Sequence, residues 1–280
     1  MFKVLGLECR HMKVAFLGPA TSFSHDAALR AFPKATLLLE APSIQSVFSA
    51  VESGKADAGV VPIENSTEGS ITTTLDLLLS SEFLISGEIF IDVVHCLLAK
   101  PGTGGIKKIF SHSQAFAQCG EWLQKNYPDV ELIGTSSTSS AASHAAMEPG
   151  SAAIASKNAA KMFGLQVLAE GIQDLGFNKT RFVAIGKKPA KPLASNKTAM
   201  FFAVKDRPGA LFDCLEGFKG QNINLTRLES RPSKKSAWDY VFFVEFLGDL
   251  SEQRVRTALA ALKKCAKMVK LLGSYPRLGE

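Results

Sequence analysis

Short apolar runs alternate with polar clusters over the greater part of the chain, and an amphipathic stretch follows each of several clusters. Residues 12–18 form an apolar run that predicts a strand. The hydroxyl-bearing residues at 21–24 then predict the cap of a helix over 25–32. The same order of strand, polar turn and helix recurs at 58–79 and at 132–147. Such alternation predicts an α/β fold with a parallel or mixed sheet and helices on both of its faces.

A second, smaller domain follows a segment rich in lysine, proline and alanine at 186–192, and we place a linker at 189–197. The pattern beyond it predicts, in order, a strand at 198–204, a helix at 210–219, strands at 224–230 and 238–247, a helix at 251–265 and a strand at 268–272. This βαββαβ order is typical of a ferredoxin-like domain, which we assign to 198–280. We treat residues 1–11 as an N-terminal extension and 12–188 as the larger domain.

Composition excludes several classes of protein. The chain has 280 residues and is 46% hydrophobic, but its apolar stretches fall well short of the ~20 residues that span a bilayer. We therefore expect a cytoplasmic protein with no membrane partner. The net charge of +6 comes from dispersed lysines and arginines without interleaved aromatic residues, so no nucleic-acid partner is expected. The five cysteines are scattered and form no Cys-x-x-Cys pair, so neither a disulfide framework nor a zinc site is predicted.

Three polar segments interrupt the apolar pattern: PIENS at 62–66, SHSQA at 111–115 and GIQDLGFNKTRF at 171–182. The last one brings Thr180 and Arg181 to the point where a polar loop becomes an apolar run, a place where α/β proteins often carry their chemistry. If the N-termini of the three helices predicted at 25–32, 72–79 and 140–147 converge, their free N–H groups suit a ligand with carboxylates and need no metal. Helix capping alone is the competing explanation, because serine and threonine are common caps.

Longer motifs in this order resemble those of the prephenate dehydratase family. They are VVPIENS at 60–66, SHSQAFAQC at 111–119, AIAS at 153–156 and NKTRF at 178–182. In the smaller domain, GAL at 209–211 and ESRP at 229–232 look like the two phenylalanine-binding motifs of the family's ACT regulatory domain. Ser113 stands where a proline is common. No helical chorismate mutase segment precedes the motifs, so we expect a monofunctional enzyme.

The resemblance implies a catalytic domain of two subdomains around a cleft, similar to a periplasmic binding protein and built on mixed sheets. One subdomain would comprise about 12–88 and 176–188, and the other about 89–175. A C-terminal ACT domain with the βαββαβ order would complete the chain.

The resemblance also implies an activity, the decarboxylation and dehydration of prephenate to phenylpyruvate in L-phenylalanine biosynthesis. No cofactor and no metal are implied, because formation of the aromatic ring drives the departure of the hydroxyl. The positions that match the family's catalytic residues are Thr180, Asn65, Ser111 and Gln118. Those expected to bind substrate are Ser66, Arg181, Phe182, Glu64 and Thr21.

Two side chains keep two interpretations each. Arg181 can clamp a substrate carboxylate, but neighbours on a strand point to opposite faces. If Thr180 enters the cleft, Arg181 can instead pair with a buried acid such as Glu64. His112 is a candidate general acid because histidine is the side chain most often used in that role, yet a structural, hydrogen-bonded histidine fits the sequence equally well.

For the ACT domain the resemblance implies that L-phenylalanine binds as an allosteric effector. The expected contacts are Gly209, Ala210, Leu211, Asn222, Asn224, Leu225, Glu229 and Ser230. The turn that contains Gly209 precedes a helix, so its N–H groups suit an amino-acid carboxylate. Such domains pair side by side, so we expect a homodimer or a homotetramer.

Two further hypotheses remain at this point. Arogenate dehydratase eliminates the same groups from the amino-bearing analogue of prephenate and yields phenylalanine directly, and the motifs do not separate the two enzymes. A non-catalytic amino-acid sensor would use the same domains for binding alone.

Overall fold

The computed structural model describes residues 12–189, 196–233 and 240–279. In chain order its strands are β1 (Lys13–Leu17), β2 (Leu37–Ala41), β3 (Ala58–Asn65), β4 (Gly69–Ser70), β5 (Leu84–Asp92), β6 (Cys96–Ala99), β7 (Lys108–Ser111), β8 (Glu131–Gly134), β9 (Ser151–Ala155), β10 (Gln166–Glu170), β11 (Lys179–Gly186), β12 (Lys197–Ala203), β13 (Leu225–Pro232), β14 (Tyr240–Leu247) and β15 (Met268–Tyr275). Its helices are α1 (Phe23–Ala31), α2 (Ile44–Glu52), α3 (Thr72–Ser80), α4 (Ser113–Gln118), α5 (Gly120–Asn126), α6 (Thr138–Met147), α7 (Lys157–Phe163), α8 (Ala210–Gly220) and α9 (Gln253–Cys265).

Hydroxyl caps mark the starts of four helices, two of which, α1 and α6, the sequence predicts. The Oγ atoms of Ser22, Ser43, Ser137 and Ser156 each accept a hydrogen bond from a backbone N–H in the first turn of the helix that follows. Helix α7 ends at Gly164, whose φ of 64° is the left-handed conformation that glycine adopts without strain. Strands thus lead through short capped turns into helices, as the α/β prediction requires.

Two mixed sheets form two lobes of the larger domain. The first sheet has the order β2-β1-β3-β11-β5, with β4 paired to β3. In it β1 runs parallel to β2 and β3, whereas β11 runs antiparallel to β3 and β5. The second sheet has the order β10-β6-β9-β7-β8. The predicted two-subdomain α/β architecture is confirmed.

The chain crosses between the lobes twice. Strand β5 stays in the first sheet to Asp92 and β6 opens the second at Cys96, so the first crossing lies at 93–95 and not near residue 88. The reason is that β5 pairs with β11 along its whole length, from Leu84 opposite Gly186 to Asp92 opposite Lys179. The return crossing occupies 171–178, between β10 and β11.

The C-terminal domain has the βαββαβ order and one antiparallel sheet, β13-β14-β12-β15, as expected for an ACT domain. Helices α8 and α9 cover one face of this sheet, with Phe218, Phe246 and Leu262 in the shared core. The other face packs on the catalytic domain, where Phe201 and Phe243 join one buried cluster with Val183 of β11. Strand β12 is therefore apolar on both faces, which explains its continuous apolar sequence.

Three sequence predictions fall wholly or partly on residues outside the described ranges. They are the extension at 1–11, most of the linker and the first residues of the strand predicted at 238–247. Among the described residues, no helix has the length and apolar character needed to cross a membrane.

Candidate active site

A cavity of about 250 Å³ lies in the cleft between the two lobes. The first lobe and the two crossings contribute Phe23, Asn65, Val93, His95, Asn178 and Thr180, and the second lobe contributes His112, Gln114, Ala115, Gln118, Ser136, Ser137 and Thr138. Among these described lining residues there is no lysine or arginine. The N-termini of α1 and α6 both reach the cavity, so the convergence expected from the sequence occurs for two of the three predicted helix starts.

Thr180 lies at the start of β11, directly opposite Asn65 at the end of β3. The Nδ2 of Asn65 donates to Thr180 Oγ1 at 2.9 Å and to Asn178 Oδ1 at 2.9 Å. The Oδ1 of Asn65 accepts from the backbone N–H groups of Thr67 and Glu68 at 2.9 and 3.2 Å, which fixes the orientation of the amide. Thr180 Oγ1 is consequently an acceptor within the protein, and its own proton is left to donate into the cavity.

Gln118 brings the second lobe to this network. Its Oε1 accepts from Asn178 Nδ2 at 3.0 Å and lies 2.8 Å from His95 Nε2. Its Nε2 lies 3.4 Å from Glu68 Oε1 on the hairpin between β3 and β4, and Gln114 Nε2 donates to the same carboxylate. A continuous set of amides therefore connects Thr180 to both walls of the cleft.

The structure places three other expected residues around this network, not in its centre. Ser111 is fully buried, and its Oγ donates to the carbonyl of Ile154 at 2.9 Å. Ser66 Oγ donates to the carbonyl of Phe177 at 3.0 Å and accepts from Lys179 N at 2.9 Å, which holds the loop before Thr180.

Thr21 joins the two lobes at the edge of the cleft. Its Oγ1 lies 2.8 Å from Ser139 Oγ, and its carbonyl accepts from Ser156 Oγ at 3.0 Å. Its φ of 71° is unusual for a β-branched residue, and the contacts with the second lobe hold that conformation in place. None of Ser111, Ser66 and Thr21 is among the described residues that line the cavity.

Arg181, Glu64 and Phe182 lie away from the cavity, which corrects the expectation that they contact substrate. The pair Arg181 and Glu64 occupies the next register position after Thr180 and Asn65, so their side chains lie on the opposite face of the sheet. Arg181 Nη2 lies 3.1 Å from Glu64 Oε2, which is the ion pair weighed as an alternative. Phe182 is 1% exposed and packs in the core beneath α1.

Arg181 reaches the ACT domain. Its Nη2 donates to Glu245 Oε2 of β14 at 2.8 Å, and its Nη1 donates to Glu88 Oε2 of β5 at 3.2 Å. Tyr275 donates to Glu245 Oε1 at 2.7 Å, and Lys197 donates to Glu88 at 2.8 Å. Burial alone would raise the pKa of Glu245, but the facing Arg181 guanidinium holds it below its ordinary value. Burial would likewise lower the pKa of Arg181, whereas the carboxylates of Glu245 and Glu64 raise it overall.

His95 and Asn178 are two residues of the site to which sequence reasoning assigned no role. Asn178 stands in the NKTRF motif, so its proximity to Thr180 was a usable signal. His95 stands alone in the apolar run VVHCLL, where the sequence offers no polar partner. His112 lines the cavity while its Nδ1 accepts from Gln114 N at 3.3 Å, so the geometry accommodates both interpretations of it.

The expected effector residues fall into two groups within one chain. Gly209, with a φ of 76°, caps the start of α8, and Ala210 and Leu211 form its first turn. Asn222, Asn224 and Leu225 follow the end of the same helix. Eleven helical residues separate the groups by roughly 16 Å. A single chain therefore does not bring both groups to one amino acid.

Glu229 and Ser230 point to opposite faces of β13. The Glu229 carboxylate faces the catalytic domain, where it accepts from Ser70 Oγ of β4 and from Arg227 Nη2 at 2.8 Å. This contact corrects the expectation that Glu229 is free to meet an effector ammonium in the present conformation. Ser230 lies on the other, more exposed side.

The chain is similar to known proteins in both of its domains. The prephenate dehydratase family model matches residues 14–190, and the ACT domain model matches residues 198–264. A bifunctional chorismate mutase/prephenate dehydratase of Aquifex aeolicus is 47% identical over 274 residues, which cover 98% of this chain and 75% of that protein. Arogenate dehydratase 2 of Petunia hybrida is 36% identical over 294 residues, covering 97% of this chain and 73% of that protein.

A solved structure of prephenate dehydratase from Arthrobacter aurescens in complex with L-Phe superposes with a TM-score of 0.85. It is 32% identical in sequence and covers 95% of this chain and 90% of the other. The family match spans both lobes, the catalytic motifs and the cleft that they build. The chain belongs to the prephenate dehydratase family and carries the ACT domain C-terminal to its catalytic domain.

Proposed function

We propose that this chain converts prephenate to phenylpyruvate, carbon dioxide and water. The observation that carries the proposal is the Thr180 hydroxyl, which accepts from Asn65 Nδ2 at 2.9 Å and keeps its proton for the cavity. The bond from the ring to the carboxylate breaks, and its electron pair enters the ring. The ring becomes aromatic as the bond between the ring carbon and the hydroxyl oxygen breaks, and the leaving oxygen takes up a proton from solvent to form water. Thr180 donates a hydrogen bond to that departing oxygen.

Thr180 contributes orientation and electrostatic stabilisation more than acidity, because a threonine hydroxyl is a weak acid. Asn65 strengthens this contribution, since a hydroxyl that accepts a hydrogen bond becomes a better donor. Asn65 and Gln118 are the other residues of the expected catalytic set that line the cavity. Ser111 contributes indirectly in this proposal, by holding β7 against β9 beneath the cavity.

The substrate carboxylates are bound, in this proposal, by backbone N–H groups and hydroxyls. The first turn of α6, with Ser136, Ser137 and Thr138 at the cavity, supplies both donors and the positive end of the helix dipole. This arrangement replaces the Arg181 clamp, since that guanidinium is committed to Glu245, Glu88 and Glu64.

A pair of variants at Thr180 tests the proposal. Thr180→Val removes the hydroxyl and keeps the shape, and we expect kcat to fall by about 10²–10⁴-fold with little change in KM. Thr180→Ser keeps the hydroxyl and should retain most of the activity. The measurement is the formation of phenylpyruvate from prephenate by the purified chain. A valine variant as active as the wild type would eliminate this role.

Arogenate is the second candidate substrate, because the Petunia hybrida relative is an arogenate dehydratase. The same hydroxyl leaves from both substrates, so Thr180 serves either reaction. The carboxylate of Glu68, which contacts Gln114 and Gln118, is a partner for the ammonium of arogenate. Competition of the two substrates on one enzyme sample, with both products quantified, gives the ratio of the two kcat/KM values and decides between them.

L-Phenylalanine acts as a feedback inhibitor at the ACT domain in this proposal. The two groups of effector residues lie at opposite ends of α8. They meet only if two chains pair antiparallel, as in a twofold dimer, so that the start of α8 in one chain lies beside the end of α8 in the other. Among the described strands β13 is at the end of its sheet, so its outer edge offers backbone groups for such pairing. Light scattering with and without L-phenylalanine tests the homodimer or homotetramer, and a monomer that binds the effector fully would exclude the shared site.

The enzyme works in the cytoplasm in this proposal. The free thiols of Cys96, Cys119 and Cys214 are buried, and burial, aided by the charge of Asp174, raises the pKa of Cys119 to about 12. Such unreactive thiols suit a reducing compartment. Detection of the protein in cell fractions would test the location.

A further inference from the structure

His95 occupies the first crossing between the lobes and takes part in both walls of the cleft. Its carbonyl accepts from Gly171 N at 3.0 Å and from Ile172 N at 3.1 Å in the return crossing. Its ring packs edge-on against Phe23 of α1, with ring centroids 6.1 Å apart. The ring also borders the cavity that contains Thr180 and is 3% exposed.

The hydrogen-bond network determines which ring nitrogen carries the proton. Backbone N–H groups at 67 and 68 can only donate, so the atom of Asn65 that they contact is its oxygen. The nitrogen of Asn65 then donates to the oxygen of Asn178, and the nitrogen of Asn178 donates to the oxygen of Gln118. The same Gln118 oxygen lies 2.8 Å from His95 Nε2, so this nitrogen must be a donor.

This polarity fixes the orientation of Gln118. A reversed amide would point its NH₂ group at two donors, Asn178 Nδ2 and His95 Nε2, and would lose both hydrogen bonds. With the oxygen held by these two donors, the amide nitrogen of Gln118 is directed to Glu68 and to the cleft. Asn178 and His95 together therefore fix which end of Gln118 a substrate meets.

We propose that His95 is a positioning residue for the dehydration, held as the neutral Nε2–H tautomer, that locks the Gln118 carboxamide with its N–H groups toward the substrate. The effect of His95 on kcat rests on the dehydratase function proposed above, whereas the assignment of its tautomer does not. Burial lowers the pKa of His95, an effect that its hydrogen bond to Gln118 opposes in part, and the neutral ring agrees with the geometry. Within the described part of the chain, His95 Nδ1 is buried and has no hydrogen-bond partner, as expected of the unprotonated nitrogen.

The tautomer is measured directly in the full-length wild-type protein. Labelling the histidine ring nitrogens with ¹⁵N gives signals for the five histidines, and the signal absent from His95→Gln belongs to His95. At pH 7 we expect a protonated Nε2 and an unprotonated Nδ1. A protonated Nδ1, alone or together with a protonated Nε2, would overturn the proposal.

Kinetics with two variants test the positioning role. His95→Leu removes the donor, and because a displaced catalytic amide can cost up to ~10²-fold, we expect kcat to fall by about 10–100-fold with KM within about threefold. His95→Gln keeps an N–H group near the position of Nε2 and should recover about tenfold of that loss. Equal loss in both variants, or none in His95→Leu, would contradict the role of the donor.

A matched control and a folding check complete the test. His144 stacks on Phe110 outside the cavity, so His144→Leu should keep the wild-type kcat. Thermal unfolding identifies any variant that fails to fold, and the tautomer measurement on the wild type still decides the proposal in that case. If the wild type makes no phenylpyruvate from prephenate, the proposed function fails while the tautomer can still be read. If it is active but His95 departs from these outcomes, only the assignment of His95 fails.

Discussion

Arg181 Nη2 donates to Glu245 Oε2 across the boundary between the catalytic and ACT domains, at 2.8 Å. Arg181 directly follows Thr180 on β11, and the alternation of the strand sends one side chain into the cleft and the next to the regulatory domain. Both the guanidinium and the Glu245 carboxylate are nearly inaccessible to water. The strand that carries the proposed catalytic hydroxyl is thus also the strand that anchors the ACT domain.

Replacing Arg181 should destabilise the protein strongly. Arg181→Met leaves the buried carboxylate of Glu245 without its cation, a change that typically costs about 3–5 kcal/mol in the free energy of unfolding. The control is Arg207→Met, which breaks the pair with Asp213, where both side chains are more than a third exposed. Such a surface pair is worth about 0–1 kcal/mol. Denaturant unfolding measures both, and equal losses would contradict the structural role of Arg181.

Glu245 should also make stability depend on pH in the acidic range. Its pKa is lowered in the folded protein, because the Arg181 guanidinium outweighs the effect of burial. The unfolded chain therefore takes up a proton first, and the stabilisation present above the ordinary pKa near 4.5 is lost as pH falls toward the folded value.

Glu245→Gln provides the comparison for this pH dependence. The glutamine cannot titrate, so the variant should start less stable at pH 7 and lose less of its free energy of unfolding on acidification. Urea unfolding of both proteins at a series of pH values from 7 to below 4 measures the difference. Identical slopes for the two proteins would assign the acid sensitivity to other groups.

Asn65→Asp should inactivate the enzyme because it turns the hydroxyl proton of Thr180 away from the substrate. A carboxylate cannot donate to Thr180, so the threonine hydroxyl would donate to the introduced carboxylate instead and no longer to the substrate. The loss of one oriented donor typically lowers kcat by about 10²–10³-fold.

Asn65→Ala is the matched comparison, since it leaves the Thr180 proton free. We expect it to be less impaired in kcat than Asn65→Asp, and phenylpyruvate formation at saturating prephenate measures both. An aspartate variant as active as the alanine variant would show that the direction of the Thr180 proton is unimportant.

Ser70→Ala should uncouple the regulatory domain from the active site. Ser70 contacts Glu229 and Arg227 of β13, and it ends the hairpin that begins at Asn65 and contains Glu68. Losing this contact should weaken inhibition by L-phenylalanine about five-fold or more, the lower end of common coupling energies, while basal kcat is retained.

Ser80→Ala is the control for this experiment, because the Ser80 hydroxyl bonds only to the carbonyls of its own helix among the described residues. It should leave inhibition unchanged. Calorimetry of L-phenylalanine binding, run beside the inhibition assay, separates weaker binding from weaker coupling. Unchanged inhibition in Ser70→Ala would exclude the hairpin as the route.

Local signals were sufficient to predict most of the fold. Hydroxyl caps placed the starts of α1 and α6, and apolar runs placed α3 and the ACT elements, all within a few residues, because capping and periodicity act over short distances. The crossing at 93–95 was misplaced, since the extent of β5 depends on its pairing with β11, which is distant in the sequence.

The site was predicted in part for the same reason. Motif positions identified Asn65, Gln118 and Thr180, which do meet at the cavity. The direction of the Arg181 side chain depends on which face of β11 the ACT domain covers, and this is determined by tertiary packing, not by the local sequence. His95 has no polar neighbour in sequence, so its partner Gln118 becomes visible only when the lobes are brought together. The sequence motifs grouped the effector residues as one set, whereas in the structure α8 separates them into two groups.

The carbonyl of His95 accepts from two successive N–H groups of the return crossing, so the two connections between the lobes are fastened to each other at one point. Connections that are tied together cannot slide independently, which favours bending about one shared axis over shear. Any opening of the cleft by such bending would flex the chain beside the imidazole, whose Nε2 lies 2.8 Å from Gln118 Oε1. A fluorescent or spin label on each lobe would report this bending as a single change in distance.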